Sequence, residues 1–189
     1  MVDEFSHFAR LPSPKAVPAD LNALLSDTLA IYDGLFEGIT LQRAFQTGLP
    51  LVRIDPDQIQ RVVVNLVDNA VRFATRHVEL RITNNPTQFF IRVWDDGPGI
   101  PDRYIPHIFD RGWTPEVAKR EVKTSSGLGL FISRALAKSS GGDLTVVSVP
   151  ESTPDHAPES AYLKDDAQGE SQRAHRTEFL LSLPLESSR

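Results

Sequence analysis

At 189 residues, with 40% hydrophobic and 24% charged content, the chain has the composition of one globular domain with room for a sizeable core. A net charge of −5 with dispersed basic residues gives no footprint for nucleic acid, and the lack of cysteine excludes a disulfide framework or thiolate metal site. No apolar run reaches the length of a membrane span and no signal peptide opens the chain, so a cytoplasmic domain without membrane contact of its own is expected.

Residues 1–18 begin like the last turns of a helix and break at Pro12, Pro14 and Pro18, which predicts an extended connector. Leu21, Leu24, Leu25, Thr28, Leu29 and Tyr32 then give a helical pattern that Gly34 can stop, and Ile39 to Phe45 alternates as a strand. From Gln58 to Ala74 a longer helix is expected, with Ile59, Val62, Val63, Leu66, Ala70 and Phe73 on its buried face. Asp55 supplies its N-cap and Pro56 its first residue. On another stripe Asn65, Asn69 and Arg72 share a face. Two amides and a guanidinium offer oxygens to a hard cation and a fork to phosphate, though the same stripe also reads as an ordinary polar helix margin.

His77 to Thr83 and Phe89 to Asp95 alternate around N-N-P-T-Q, a hairpin. D-D-G-P-G-I follows, then a short helical piece around Tyr104 to Phe109 and a polar stretch, 110–126, that reads as a long mobile loop. Gly127 to Ser140 is a helix with a glycine-rich entry, closed by Gly141 and Gly142. Strands are expected over Asp143 to Val149 and Glu178 to Leu185. Between them, residues 150–176 are rich in Pro, Ser and acids and read as a disordered insertion.

Two glycine-rich turns carry chemistry. Asp95 at a strand end is a carboxylate in want of a donor such as an adenine exocyclic amine, and Gly97 and Gly99 let the backbone approach a flat ligand. Taken alone, D-x-G-x-G is equally a strand-to-helix turn. Ser126-Gly127-Leu128-Gly129-Leu130 opens a helix whose unpaired N–H groups form an anion site, without the G-K-[ST] ending of a P-loop. Lys119, Arg120 and Lys123 precede it as cations able to reach phosphates or to remain solvated.

In this order and spacing the elements resemble the catalytic ATP-binding domain of two-component sensor histidine kinases, in the superfamily that also holds gyrase, Hsp90 and MutL. The resemblance covers about residues 19–149 and resumes at 177–185. N-L-V-D-N-A matches the family's asparagine box, D-D-G-P-G-I its first glycine box, Ile108-Phe109 its phenylalanine box and G-L-G-L its second glycine box. The resemblance implies an α/β fold, a two-layer sandwich of the Bergerat type with a mixed sheet, helices on one face and a lid over residues 101–126. It implies ATP and Mg2+ as cofactors, with Asn69 and Asn65 as catalytic and metal-holding residues. Asp95, Gly97, Gly99 and Ile100 would contact the base. Arg72, Phe109, Lys123, Ser126, Gly127, Leu128 and Gly129 would complete the nucleotide site.

Hydrolysing members of the superfamily carry a glutamate four residues before the metal-binding asparagine, as general base for water. Here that position is Asn65, which cannot take a proton, and this favours a kinase. The phenylalanine box departs from the usual pattern, with Gly112 where a second Phe usually stands and Trp113 after it. V-D-E-F-S-H-F-A-R-L-P resembles the end of the dimerisation hairpin in nitrogen-regulatory sensor kinases. Residues 1–18 are therefore expected to be the end of that helix and a connector, and 19–189 the catalytic domain. None of His7, His77, His107, His156 and His175 has the H-E/D-x-x-x-P context of a phospho-acceptor. The expected partners are a dimerisation domain of the same kinase that carries the acceptor histidine, and a response regulator. An anti-sigma-type serine kinase of the same fold and a non-catalytic nucleotide-sensing module stand as alternatives.

Overall fold

Two strands with period-two apolar patterns make the centre of the sheet. In the computed structural model, which describes residues 14–114, 127–149 and 176–185, β4 (His77–Asn84) pairs antiparallel with β5 (Gln88–Asp95). Val78, Leu80 and Ile82 of one and Phe89, Ile91 and Val93 of the other are buried on one face. β7 (Arg176–Pro184) joins β5 antiparallel and adds Phe179, Leu181 and Leu183 to that face; β6 (Asp143–Val149) closes this edge antiparallel to β7. At the other edge β2 (Thr40–Phe45) runs parallel to β4, which completes a mixed five-stranded sheet in the order β2-β4-β5-β7-β6.

Three helices, α1 (Leu21–Ala30), α2 (Pro56–Phe73) and α3 (Gly129–Ser139), form the second layer of the expected α/β sandwich. α2 lies against β4 and β5 and is flanked by α1 and α3. Its burial follows its sequence period: Ile59, Val62, Val63, Leu66, Val67 and Ala70 are all inside. Asp55, in extended backbone, accepts the Gln58 N–H at 3.2 Å as the N-cap, and Pro56 occupies the first turn.

Asp55 has a second task. Its Oδ2 accepts the Lys15 N–H at 2.8 Å, which moors the connector to the start of α2. The described part of that connector is not merely extended: β1 (Val17–Ala19) pairs antiparallel with β3 (Val52–Ile54), a ribbon that sequence patterning does not reveal. Asp55→Ala removes both the cap and the mooring. It is expected to cost about 1–2 kcal/mol, read as a melting temperature lower by roughly 3–6 °C in calorimetry. An unchanged melting temperature would mean that neither bond matters to stability.

Two expectations need correction. Phe73 is not part of the buried face of α2; it stands 54% exposed at the last turn, past the point where the helix rests on the sheet. The stretch expected as a lid is anchored over its first half, since Ile108 is buried, the tilted rings of Tyr104 and Trp113 meet at 5.4 Å, and Phe109 meets Phe179 edge-on at 6.5 Å. Its apolar residues recur at turn spacing around a 3-10 turn, Ile105–His107, and so find the core. The remainder of the lid and the insertion over 150–175 lie outside the described residues.

Candidate functional site

Period two carries an acid into the interior. Along β5, Phe89, Ile91, Val93 and Asp95 face the helices in turn, so the strand ends with a carboxylate on its buried side, 3% exposed. Strand register sets two hydroxyls in the same row: Asp95 pairs with Thr177 of β7, and Thr177 with Ser148 of β6. Thr177 is buried, and Ser148 Oγ lies 3.3 Å from its Oγ1 while accepting the Ile100 N–H at 2.6 Å. Neither hydroxyl was expected from sequence. Continuing the alternation of Phe179, Leu181 and Leu183 back along β7 would have reached Thr177.

Among the described residues, Asp95 accepts a single hydrogen bond, from the Gly97 N–H at 3.0 Å. Desolvation by burial pushes its carboxyl up to about 7; the Gly97 bond pulls the other way, and the charge of Asp96 adds to the rise. A buried acid with spare acceptor capacity fits a ligand that brings a donor. Gly97 explains the rest of the motif. A Cβ there would overlap the Phe73 carbonyl oxygen and come within 2.6 Å of Asp95 Oδ1, so this turn lies directly on the end of α2. The exposed ring of Phe73, also missed from sequence, belongs to the same corner.

A second cluster lies about 12 Å back along α2, from Phe73 to Asn65 at roughly 1.5 Å per residue. There Asn65 Nδ2 donates to Ser133 Oγ of α3 at 3.0 Å, and a Cβ on Gly129 would overlap Asn65 Oδ1. Gly129 is the first residue of α3, where helix N–H groups are unpaired. Gly127 holds φ +65°, and a Cβ on it would lie 2.6 Å from the Gly112 carbonyl carbon. Its carbonyl accepts the Gly112 N–H at 3.0 Å, so the chain is fastened on both sides of residues 115–126.

Asn69 is half-buried between the two clusters and makes no side-chain hydrogen bond among the described residues; Arg72 is exposed. Gly99 turns the chain at φ +76°, and Leu128 stands at the N-cap of α3. Phe109 is engaged by Phe179 and by the Arg134 guanidinium, 4.7 Å above its ring, which makes it an anchor rather than a free wall. Lys123 and Ser126, like Lys119 and Arg120, lie outside the described residues. Among the described residues no cluster of three His, Asp or Glu could hold a metal ion, so a cation here would depend on amide oxygens and on ligands it brings with it.

A mixed sheet under one helix layer, with a buried acid and two glycine turns along one helix, makes a two-layer α/β sandwich. The family model described as "Histidine kinase-, DNA gyrase B-, and HSP90-like ATPase" matches residues 54–187, and the chain belongs to that family. Among curated proteins it is 33% identical to the sensor histidine kinase YkoH of Bacillus subtilis, over 59% of this chain and 26% of that protein. It is 34% identical to the sensor protein TorS of Escherichia coli, over 71% of this chain and 15% of that protein. The chain thus spans about a quarter or less of the curated relatives it matches. Among solved structures, full-length ShkA in complex with AMPPNP superposes with a TM-score of 0.74 at 20% identity, covering 99% of this chain and 35% of ShkA. The mycobacterial sensor histidine kinase MprB superposes at 0.66 and 21%, covering 89% of this chain and 97% of that one. Both likenesses concern the fold. No described helix is long and apolar enough to cross a membrane.

Proposed function

We propose that this chain is the ATP-binding catalytic domain of a sensor histidine kinase, donating the γ-phosphoryl group of Mg-ATP to a histidine on a dimerisation domain of the same kinase. In that reading residues 1–18 end the dimerisation helix and its connector, 19–189 form the catalytic domain, and a response regulator receives the phosphoryl group. The observation that carries the proposal is the pair of clusters along α2. One end offers a buried acceptor, Asp95, beside the Gly97 turn; the other offers a helix start and the amide of Asn65. A ligand that uses both must be elongated, with a hydrogen-bond donor at one end and negative charge at the other. ATP has that shape and chemistry.

Asp95, once ionised, accepts from the adenine amine, with Thr177 beside it and the exposed face of Phe73 available for the ring. The N–H groups at the start of α3, around Gly127 and Gly129, receive phosphate oxygens, with Arg72 as a cation on the same stripe of α2 as Asn69. Asn69 and Asn65 present amide oxygens, hard donors that suit Mg2+ retaining several other oxygen ligands. Bound Mg2+ would neutralise the phosphate charge that builds during transfer. Asn65 cannot accept a proton, and its Nδ2 is already committed to Ser133, so the site has no base at that position to activate water.

Titration calorimetry and radiolabelled ATP test the proposal. The isolated chain is expected to bind Mg-ATP, to bind it less tightly in chelator, and to lose most of that difference in Asn69→Ala. It should neither label itself nor release free phosphate, yet should label the histidine of a matching dimerisation hairpin. Substantial hydrolysis would place the chain in an ATPase branch. Transfer to a serine on another protein would favour the anti-sigma type.

A further inference from the structure

Asp96 follows the buried Asp95, yet its carboxylate turns to a different part of the fold. Oδ1 accepts three successive backbone N–H groups, from Thr75 at 2.8 Å, Arg76 at 3.0 Å and His77 at 2.9 Å, and Oδ2 lies 3.2 Å from the Arg76 nitrogen. Its main chain joins the same segment: the Asp96 N–H donates to the His77 carbonyl at 3.2 Å, and its carbonyl accepts the Thr75 hydroxyl at 3.1 Å. Burial alone would raise its pKa, but the amides of Arg76, His77 and Thr75 outweigh that and hold the carboxyl below its ordinary value.

The segment so gripped is the link between α2 and β4. α2 ends at Phe73, whose carbonyl oxygen lies against Gly97, and β5 ends at Asp95. Asp96 therefore splices the helix end to the strand end at the corner where the base is received. Its bonds fix how far Phe73 stands from the Asp95–Gly97 turn. With charge-assisted bonds to three consecutive amides, this spacing is stiff.

We propose that Asp96 is a positioning residue for base recognition: without touching the nucleotide, it holds the Asp95–Gly97 turn against the end of α2 and so fixes where the Asp95 carboxylate stands. The proposal rests on the nucleotide reading above and adds a residue to it. A carboxylate held in one place receives the adenine amine and discriminates against a base that presents a carbonyl there; a slackened turn loses part of that preference.

The test uses the whole chain, with Mg-ATP and Mg-GTP in calorimetry and hydrogen exchange of the amides. Asp96→Ala is expected to weaken Mg-ATP binding by about tenfold or more, as loss of charge-assisted bonds at a site boundary does. It should also narrow the ATP-over-GTP preference and speed exchange at Thr75, Arg76 and His77. Asp96→Asn keeps one acceptor oxygen and should fall between the wild type and alanine; it serves equally if the alanine variant does not fold. A role in stability alone would lower the melting temperature of both variants and leave the base preference of the folded protein unchanged. That result overturns the proposal, as does wild-type ATP affinity in an Asp96→Asn protein whose three amides exchange faster. A wild-type chain that fails to bind Mg-ATP would overturn the nucleotide reading itself and this inference with it.

Discussion

Exchanging Asp95 for asparagine is expected to make the nucleotide-free protein more stable at pH 8 while removing its hold on adenine. Folding raises this carboxyl from 3.8 to about 7, through burial. Between those values the folded protein keeps a proton that the unfolded chain has released. Stability therefore falls as pH rises from about 3.8, and the loss is complete above about 7. At about 1.4 kcal/mol per pKa unit the penalty is on the order of a few kcal/mol. Asparagine has the same shape, still offers an oxygen to the Gly97 N–H, and carries no charge to desolvate. Its gain in melting temperature should be large at pH 8 and vanish near pH 4. Mg-ATP affinity should fall roughly a hundredfold, since with its oxygen on the Gly97 N–H the amide turns an NH2 donor toward the adenine amine, itself a donor. The wild-type protein should bind ATP more tightly as pH approaches 7 and level off above it. A variant that binds ATP normally, or whose stability gain does not depend on pH, would refute the role given to Asp95.

Gly129→Ala should be as damaging from a single methyl group. Helix propensity favours alanine by about 1 kcal/mol, but its Cβ would overlap Asn65 Oδ1, at the junction of α2 and α3. Either Asn65 leaves Ser133 or α3 moves outward, and overpacking of this kind costs about 1–3 kcal/mol. We expect a lower melting temperature together with at least about tenfold weaker Mg-ATP binding, because the displaced groups are those we assign to the phosphates. Adding Asn65→Ser shortens the obstructing side chain. The double variant should recover the melting temperature and not the affinity, which separates the packing role of Asn65 from its ligand role. Normal affinity in the double variant would remove Asn65 from the site.

The long amphipathic helix and the central hairpin were legible because their periods are unbroken: α2 has its cap, its proline and its apolar stripe, and β4 and β5 alternate cleanly. The ribbon of β1 and β3 was not legible, because strands this short carry no period, and their pairing is fixed by distant partners such as Asp55 and Lys15. Asp95, Gly97 and Gly129 were singled out from motif spacing and the family resemblance it carries, and the close approaches at both glycines give that spacing a physical reason. Thr177 and Ser148 escaped notice because their relation to Asp95 exists only in the register of three strands, two of them separated from it by long stretches of sequence. Phe73 was misjudged because the apolar stripe continues in sequence one turn beyond the sheet that would cover it.

β6 and β7 remain paired to their far ends, with Val149 opposite Arg176. The chain between them therefore departs and returns across a single rung of the ladder, as in any hairpin, whatever its length. Lengthening such a connection costs only about 0.6 kcal/mol per doubling. This makes the junction a place where sequence can be added, shortened or exchanged without changing the register of the sheet. It is also a suitable graft point for a reporter whose own termini lie close together. Ser148, next to the junction, holds the Ile100 amide just after the Asp95–Gly99 turn, so cargo placed there would sit one residue from a bond to the segment we assign to the base.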